Sequence, residues 1–265
     1  MKKIHVLFLL IVLIFSYKIQ AQDAQTTKLM VKYEFIYVID STMPEKPNTY
    51  EGLLIIGNGT SFFGERAAMR SELYVKNQRE SNPTMSTSMT LFYGAPVYFF
   101  RNLPAGKFSS VAKLRGNTYL LNENITTPDW KISPETKEIK GYTCQKATTE
   151  FKGRFYEVWF CPKVPYPYGP WKLGGLPGLI LEASDSKKEI VFNFKSMQDT
   201  AAFAIELPEN TIPTTTKELN KAIEAYQISL GSPSAGKTMI SQSEGQSAAS
   251  TRRRMYNNPI EIEKY

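Results

Sequence analysis

The segment between residues 165 and 182 restricts the fold of this chain more than any other. It reads Pro-Tyr-Pro-Tyr-Gly-Pro-Trp-Lys-Leu-Gly-Gly-Leu-Pro-Gly-Leu-Ile-Leu-Glu, with four prolines and four glycines. Proline fixes φ and glycine permits positive φ, so this run predicts an irregular backbone path. Its aromatic and aliphatic side chains indicate packing against a core rather than a flexible linker. We therefore predict a rigid crossing followed by a buried strand over residues 179–183.

The rest of the chain carries mainly strand signals. Alternating apolar and polar residues predict strands at 28–39 and 50–56, and the dipeptides Asn58-Gly59 and Lys152-Gly153 are typical of hairpin turns. Thr215 and Glu218 form a capping-box pattern that predicts a helix ending at Gly231. The expected fold is mainly β: one antiparallel open or half-closed barrel with a C-terminal helix.

The N-terminus has the pattern of a secretory signal peptide. Two lysines precede an apolar run over residues 4–15, and Ala21 is the expected cleavage position. The run is too short to span a membrane comfortably, and no later stretch is apolar enough, so we expect no transmembrane segment in the mature chain. The predicted organisation is a signal peptide at 1–21, a single β-rich domain at 22–231, a flexible linker at 232–251 and a tail at 252–265 that docks as a strand. The predicted location is the periplasm or the exterior.

Composition excludes several kinds of chemistry. The sole histidine is His5, within the signal peptide, so the mature chain has no Ser-His-Asp or Cys-His site and no histidine-ligated metal. Two cysteines cannot make a four-thiolate site. Removing the signal peptide removes three lysines and no acid, which lowers the net charge from +7 to +4. We therefore predict no metal, no cofactor, no nucleic-acid partner and no catalytic residue.

The two cysteines fall opposite each other in the best-specified hairpin. With Lys152-Gly153 as a two-residue turn, Cys144 pairs with Cys161 at a non-hydrogen-bonded position, where side chains approach most closely. In an oxidising compartment this register predicts a cross-strand disulfide. The alternative is a pair of buried free thiols.

The run Gly-Leu-Pro-Gly-Leu-Ile resembles the signature of the GLPGLI family, exported proteins of Bacteroidota. The signature residues are Gly175, Leu176, Pro177, Gly178, Leu179 and Ile180. Further similar positions are 130–132, 141–147, 153–154, 157–160, 169–170 and 258–261, so the resemblance covers most of the mature chain. It implies a periplasmic or secreted protein and brings no established activity. The arrangement of Trp, hairpin and Pro is also loosely similar to the half-barrel of periplasmic lipoprotein carriers, an analogy of fold alone.

Four aromatic residues and one leucine in and near the crossing are the candidate binding residues. They are Trp159, Tyr166, Tyr168, Trp171 and Leu176. They line an apolar pocket if the sheet is concave and open, or they are filled core. Equally, the crossing is either a binding loop or a structural plug, and the sequence leaves both alternatives open.

These features favour non-enzymatic binding of an apolar ligand or of an envelope partner such as an outer-membrane protein. One alternative is a hydrolase using paired carboxylates or a Ser-x-x-Lys pair, and another is a structural partner of an outer-membrane complex. The carboxylate candidates are Asp129, Glu135, Glu150, Glu157 and Glu182. The Ser-x-x-Lys matches are Ser110 with Lys113 and Ser184 with Lys187, and neither precedes the helical pattern that such a nucleophile requires.

Overall fold

The structure is a computed structural model that describes residues 28–65, 96–199, 207–208, 210–231 and 258–262. These residues form twelve strands and one helix. The strands are β1 (Leu29–Tyr37), β2 (Asn48–Ile56), β3 (Thr60–Glu65), β4 (Pro96–Asn102), β5 (Lys107–Leu114), β6 (Asn117–Asn124), β7 (Lys131–Ile139), β8 (Tyr142–Phe151), β9 (Arg154–Cys161), β10 (Leu179–Asp185), β11 (Ile190–Asp199) and β12 (Ile212–Pro213). The helix is α1 (Thr216–Gly231).

All twelve strands join one sheet in the order β12-β6-β5-β4-β3-β2-β1-β11-β10-β9-β8-β7. Neighbouring strands are antiparallel, except that the two residues of β12 run parallel to β6. Within the described ranges β7 and β12 lie at opposite edges, so the sheet is open. The predicted class, a mainly β antiparallel open sheet with a C-terminal helix, is confirmed.

Three hairpins turn on a dipeptide made of a basic residue and glycine. Arg115-Gly116, Lys140-Gly141 and Lys152-Gly153 all have positive φ at both positions, between 47° and 86°. Positive φ at both central residues is the type I′ geometry, whose twist matches that of the flanking strands. In the β8–β9 hairpin Phe151 pairs with Arg154, and the register continues to Gln145 opposite Phe160, as predicted.

Aromatic contacts on the inner face reveal a strong curvature of the sheet. Strands β3 and β11 are three strand spacings apart, about 14 Å in a flat sheet. The rings of Phe63 on β3 and Phe192 on β11 nevertheless lie with centroids 5.8 Å apart. Phe63 also contacts Phe99, whose ring lies 6.1 Å from that of Phe108. The inner face is therefore concave, and this hollow contains the main core.

Helix α1 begins with the predicted capping box. The Glu218 amide donates to Thr215 Oγ1 at 3.2 Å, and the Thr215 amide donates to Glu218 Oε2 at 2.9 Å. Leu219 and Ile223 are buried against Ala112, Leu114 and Leu121 of β5 and β6. The helix thus covers one end of the sheet with a small second core.

The tail docks against the segment that follows β1 and against the β8–β9 turn. The Asn258 amide donates to the Ile39 carbonyl at 3.2 Å and the Ile262 amide to the Lys152 carbonyl at 3.0 Å. Residues 258–262 are extended along the protein, but no strand is assigned to them. The predicted signal peptide at 1–21 and linker at 232–251 lie outside the described residues. Among the described residues, no helix has the length and apolar character needed to cross a membrane.

Candidate functional site

The Pro/Gly crossing, defined here as residues 162–178, connects β9 to β10 and packs against the concave face. The two strands are direct neighbours, with Leu179 opposite Cys161, so the crossing leaves and re-enters the sheet at the same end. Within it Tyr168 bridges Gly174, and the Gly175 amide donates to the Pro167 carbonyl at 3.0 Å. A surface loop would be the default for such a connection. This one is largely buried.

Glycines permit that burial at specific points. A Cβ on Gly178 would lie 2.3 Å from the carbonyl oxygen of Cys161, and one on Gly174 would lie 2.3 Å from Arg101 Nη1. Gly175 has φ +90°, a conformation that L side chains rarely adopt, and its Cβ would meet Thr127 at 2.4 Å. Close backbone approach at Gly178, and positive φ at Gly175, are therefore structural reasons for glycine at these two signature positions.

Donors from distant elements satisfy the buried carbonyls of the crossing. Arg101 Nη2 on β4 donates to the carbonyl of Lys172 at 2.6 Å and to that of Leu173 at 3.4 Å. The Trp130 indole Nε1 donates to the Gly174 carbonyl at 2.9 Å. Buried carbonyl groups without donors are costly, so these contacts hold the crossing in place.

A polar cleft lies between the crossing and strands β4 to β6. Its volume is about 270 Å³, which includes space open to solvent. Its polar lining includes Arg101, Glu123, Lys152 and Lys172. Lys172, although buried, forms ion pairs with Glu123 at 2.5 Å and with Glu261 of the tail at 2.7 Å. Burial lowers the pKa of Arg101 to about 10, which leaves its guanidinium charged at neutral pH.

The structure separates the predicted binding residues. Tyr168, Trp171 and Leu176 are 2–3% exposed and belong to the main core, where Trp171 contacts Phe151 and Tyr156. Tyr166 is half-buried and packs against that core. These residues fill the concave face instead of lining an open pocket, so the structure favours the plug over the binding loop.

Trp159 lies on the opposite face of the sheet. Lys137 Nζ lies 4.5 Å from the centroid of its ring and Lys146 Nζ 5.8 Å. On the same outer face Phe155 of β9 is 45% exposed. Trp159 and Phe155 alternate with Glu157 along β9, so this outer face carries two aromatic rings among charges.

Three of the five carboxylates of the hydrolase hypothesis form ion pairs on this open face. Lys137 pairs with Glu182 at 2.6 Å, and Lys146 pairs with both Glu135 and Glu157 at 3.1 Å. The hydrogen bond from Lys146 holds the pKa of Glu135 below its usual range. A general acid needs the opposite shift.

Of the two Ser-x-x-Lys matches, neither acquires a catalytic geometry. Ser110 is buried in β5. Ser184 accepts a hydrogen bond at 2.6 Å from Lys188, which is not the lysine of its Ser-x-x-Lys match, Lys187. Catalytic lysines are generally buried, whereas Lys188 is exposed in the β10–β11 turn.

Cys144 and Cys161 are buried free thiols in the structure, so the predicted disulfide is not formed there. The Cys144 thiol donates to the Tyr142 carbonyl at 3.4 Å. Burial, together with the neighbouring Cys161, raises the pKa of Cys144 to about 12, which favours the protonated thiol. The predicted juxtaposition nevertheless holds, because the two residues follow directly on the Gln145–Phe160 pair.

Sequence reasoning missed a buried ion cluster centred on Arg154. Its Nη1 donates to Asp185 Oδ2 at 2.8 Å and to Glu189 Oε2 at 3.0 Å, and its Nη2 donates to the Pro259 carbonyl at 2.8 Å. Asn258 joins the cluster by accepting from Arg154 Nη2 and by donating to Glu189 Oε2 at 3.1 Å. Its amide nitrogen Nδ2 also donates to the Val38 carbonyl at 2.6 Å. The resemblance had singled out Gly153-Arg154 and 258–261, the only signal that could have linked them.

Within the described ranges no three His, Cys, Asp or Glu side chains come close enough together to hold a metal ion. The site is thus a plugged concave face with a polar cleft at its margin, backed by an outer face of charges and aromatic rings.

Part of this chain is similar to a known protein family. Residues 99–216, less than half of the chain, match the family model described as N-glycanase peptide, N-terminal domain. No curated protein matches the chain in sequence.

Two crystal structures of PNGF-II share the fold. The C2 crystal form gives a TM-score of 0.53 at 18% identity, covering 75% of this chain and 33% of PNGF-II. The P21 form gives 0.54 at 19% identity, covering 76% and 33%. This chain therefore spans about one third of the length of PNGF-II, and the likeness concerns the fold.

The close approach at Gly178 predicts a large loss of stability when a side chain is added. Gly178→Ala should cost more than about 3 kcal/mol of unfolding free energy, because its Cβ meets backbone atoms that cannot rotate away. Gly106→Ala is the control, since Gly106 has φ +62° and nothing within 4 Å, and should cost about 1 kcal/mol. Urea unfolding measures both, and equal costs would contradict the steric account.

The indole donor of Trp130 should also contribute to stability. Trp130→Phe removes the hydrogen bond to the Gly174 carbonyl and should cost about 1–3 kcal/mol in urea unfolding. Trp159→Phe is the matched control, because Trp159 contacts lysines through its ring and no indole hydrogen bond is recorded for it. A cost for Trp130→Phe no larger than the control's would show that the crossing does not depend on this donor.

Proposed function

We propose that this is an exported, non-enzymatic protein that binds an envelope partner through the outer face of β9 and its neighbouring strands. The observation that carries the proposal is the pair of aromatic side chains on that face, Phe155 at 45% exposure and half-buried Trp159. Exposed aromatic residues surrounded by polar groups are typical of the anchors of protein interfaces.

The state of the concave face supports a partner over an apolar ligand. Trp171, Leu173 and Leu176 occupy the space in which a half-barrel carrier would hold its ligand, and each is at most 2% exposed. The cleft beside them is small and is lined by charged side chains, which do not suit an apolar ligand. An apolar ligand would be detected as extra mass in native mass spectrometry.

Export and membership of the GLPGLI family remain part of the proposal. Their support is the apolar N-terminal run and the signature at Gly175–Ile180. The close approaches at Gly175 and Gly178 supply a physical reason for that signature, because both positions require glycine.

A second candidate is a role in N-glycan processing. Its support is the match of residues 99–216 to the N-glycanase N-terminal domain. Against it, Glu135, Glu157 and Glu182 are held in ion pairs on an open face. Release of glycan from an N-glycosylated protein by the purified chain would establish this role and overturn the non-enzymatic proposal.

The partner surface is testable by photocrosslinking in cells. A photoreactive phenylalanine at position 155 should give a discrete crosslinked species, which should disappear when Trp159→Ala is added, because both residues lie on the proposed contact face. The same group at Leu103, which is 39% exposed in the β4–β5 turn, is the matched control. Equal labelling from both positions, or none from position 155, would argue against the surface.

Export also predicts the redox state of the cysteines. In an oxidising compartment Cys144 and Cys161 should form a disulfide, because their register places them on adjacent strands. Mass spectrometry of the exported protein should therefore find no alkylation by iodoacetamide after unfolding, and two alkylated sites after reduction. The same protein made without its leader in the cytosol is the control, with two alkylated sites before reduction. Two free thiols in the exported protein would refute the disulfide.

A further inference from the structure

The polar cleft has an excess of positive charge. Three cations, Arg101, Lys152 and Lys172, contribute to its lining. Two carboxylates face them: Glu123 pairs with Lys172, and Glu261 lies between Lys172 at 2.7 Å and Lys152 at 3.8 Å. Among the described residues both acids therefore pair with the lysines, which leaves one of the three cations in surplus.

That surplus charge belongs to Arg101. Its side chain is almost fully buried at 5% exposure, yet among the described residues no carboxylate pairs with it. Its hydrogen bonds run from Nη2 to two backbone carbonyls. No acceptor in the described part of the chain takes a hydrogen bond from Nε or Nη1, and neither atom is sealed from solvent. Arg101 thus lines the cleft with two donor atoms that have no partner in the described part of the chain, of which Nη1 lies against Gly174.

Cation–π contacts compensate only in part for the energetic cost of burying the Arg101 guanidinium. Its guanidinium carbon lies 5.7 Å from the centroid of Phe108, and Lys172 Nζ lies 5.3 Å from the same ring. These cation–π contacts use the ring face and leave the N–H donors unused. A desolvated cation is strongly favoured by a hydrogen-bonded anion, and the fork of an arginine matches the spacing of two oxyanion oxygens.

We propose that this cleft is a binding site for a single oxyanion group, a carboxylate or a phosphate, held by Nε and Nη1 of Arg101 with Lys172 beside it. The cleft is small and partly open to solvent, so it can admit one such group but cannot enclose a whole drug-sized molecule. The bound group is therefore a small ion or the charged end of a larger molecule that remains outside. This site is independent of the partner surface around Trp159, which lies on the other face of the sheet.

The proposal is tested by titrating the full mature protein with inorganic phosphate and with acetate at constant ionic strength. Backbone amide shifts in NMR spectra should saturate around Arg101 and Lys172. Saturation by phosphate alone identifies a phosphate site, and saturation by both identifies a general oxyanion site. No localised shift with either anion would overturn the proposal.

Three variants separate specific binding from general charge. Arg101→Lys keeps the charge but loses the fork, and should weaken binding by at least about tenfold. Glu123→Gln removes a nearby negative charge and should tighten binding by roughly fivefold. Lys187→Gln, at an exposed position in the β10–β11 turn, should leave affinity unchanged.

The Glu123→Gln variant keeps the test decisive if Arg101→Lys fails to fold. A purely structural Arg101 predicts no gain in affinity from Glu123→Gln, so an unchanged dissociation constant in that variant would overturn the proposal. Equal weakening by Arg101→Lys and Lys187→Gln would do the same, since it would mean that the anion responds only to net charge.

Discussion

The carbonyl groups of the buried crossing need hydrogen-bond donors, and much of the molecule is arranged to supply them. An irregular segment cannot satisfy its own backbone as a helix does, so donors must come from elsewhere. Arg101 of β4 and Trp130 before β7 donate to residues 172–174, and Tyr33 of β1 donates to the Ile180 carbonyl at 2.6 Å. Because these donors stand on strands far apart in the sheet order, the crossing joins the sheet across its hollow.

The second constraint is that the buried cations Arg154 and Lys172 need polar or negatively charged partners. The C-terminal tail supplies some of them. Arg154 requires Asp185 and Glu189 to be close by, and its Nη2 donates to Asn258 Oδ1 and to the Pro259 carbonyl. Its buried Nε has no partner among the described residues. Three residues later Glu261 supplies a carboxylate to Lys172 of the crossing. A segment of five described residues therefore serves two clusters, around Arg154 and Lys172, that lie far earlier in the sequence. Losing either cation would leave charged partners buried without compensation.

Local signals predicted much of the fold. Lys152-Gly153 determined the β8–β9 register, and Thr215 with Glu218 determined the start of α1. Long-range electrostatics left no local trace: nothing near Arg101 indicates that its acceptors are the carbonyls of 172 and 173. The ambiguity of Trp171 was of the same kind, since a buried ring in a filled core and a ring lining a pocket have identical sequence patterns. Only the position of the crossing decides between them.

Because the crossing fills the concave face, recognition takes place at the surface of the protein. How deeply the groups of each surface are buried then determines what that surface can recognise. The edge strand β7 is poorly suited to strand addition, because Pro134 interrupts it and its ladder is irregular between Ile132 and Thr136. On the outer face, Lys137 and Lys146 are already paired with carboxylates beside Trp159. Water and salt screen such exposed pairs. A partner of the outer face would therefore recognise its shape and aromatic surface more than its charge. Arg101 differs because its surroundings exclude most water, so a single unneutralised charge there can select an anion.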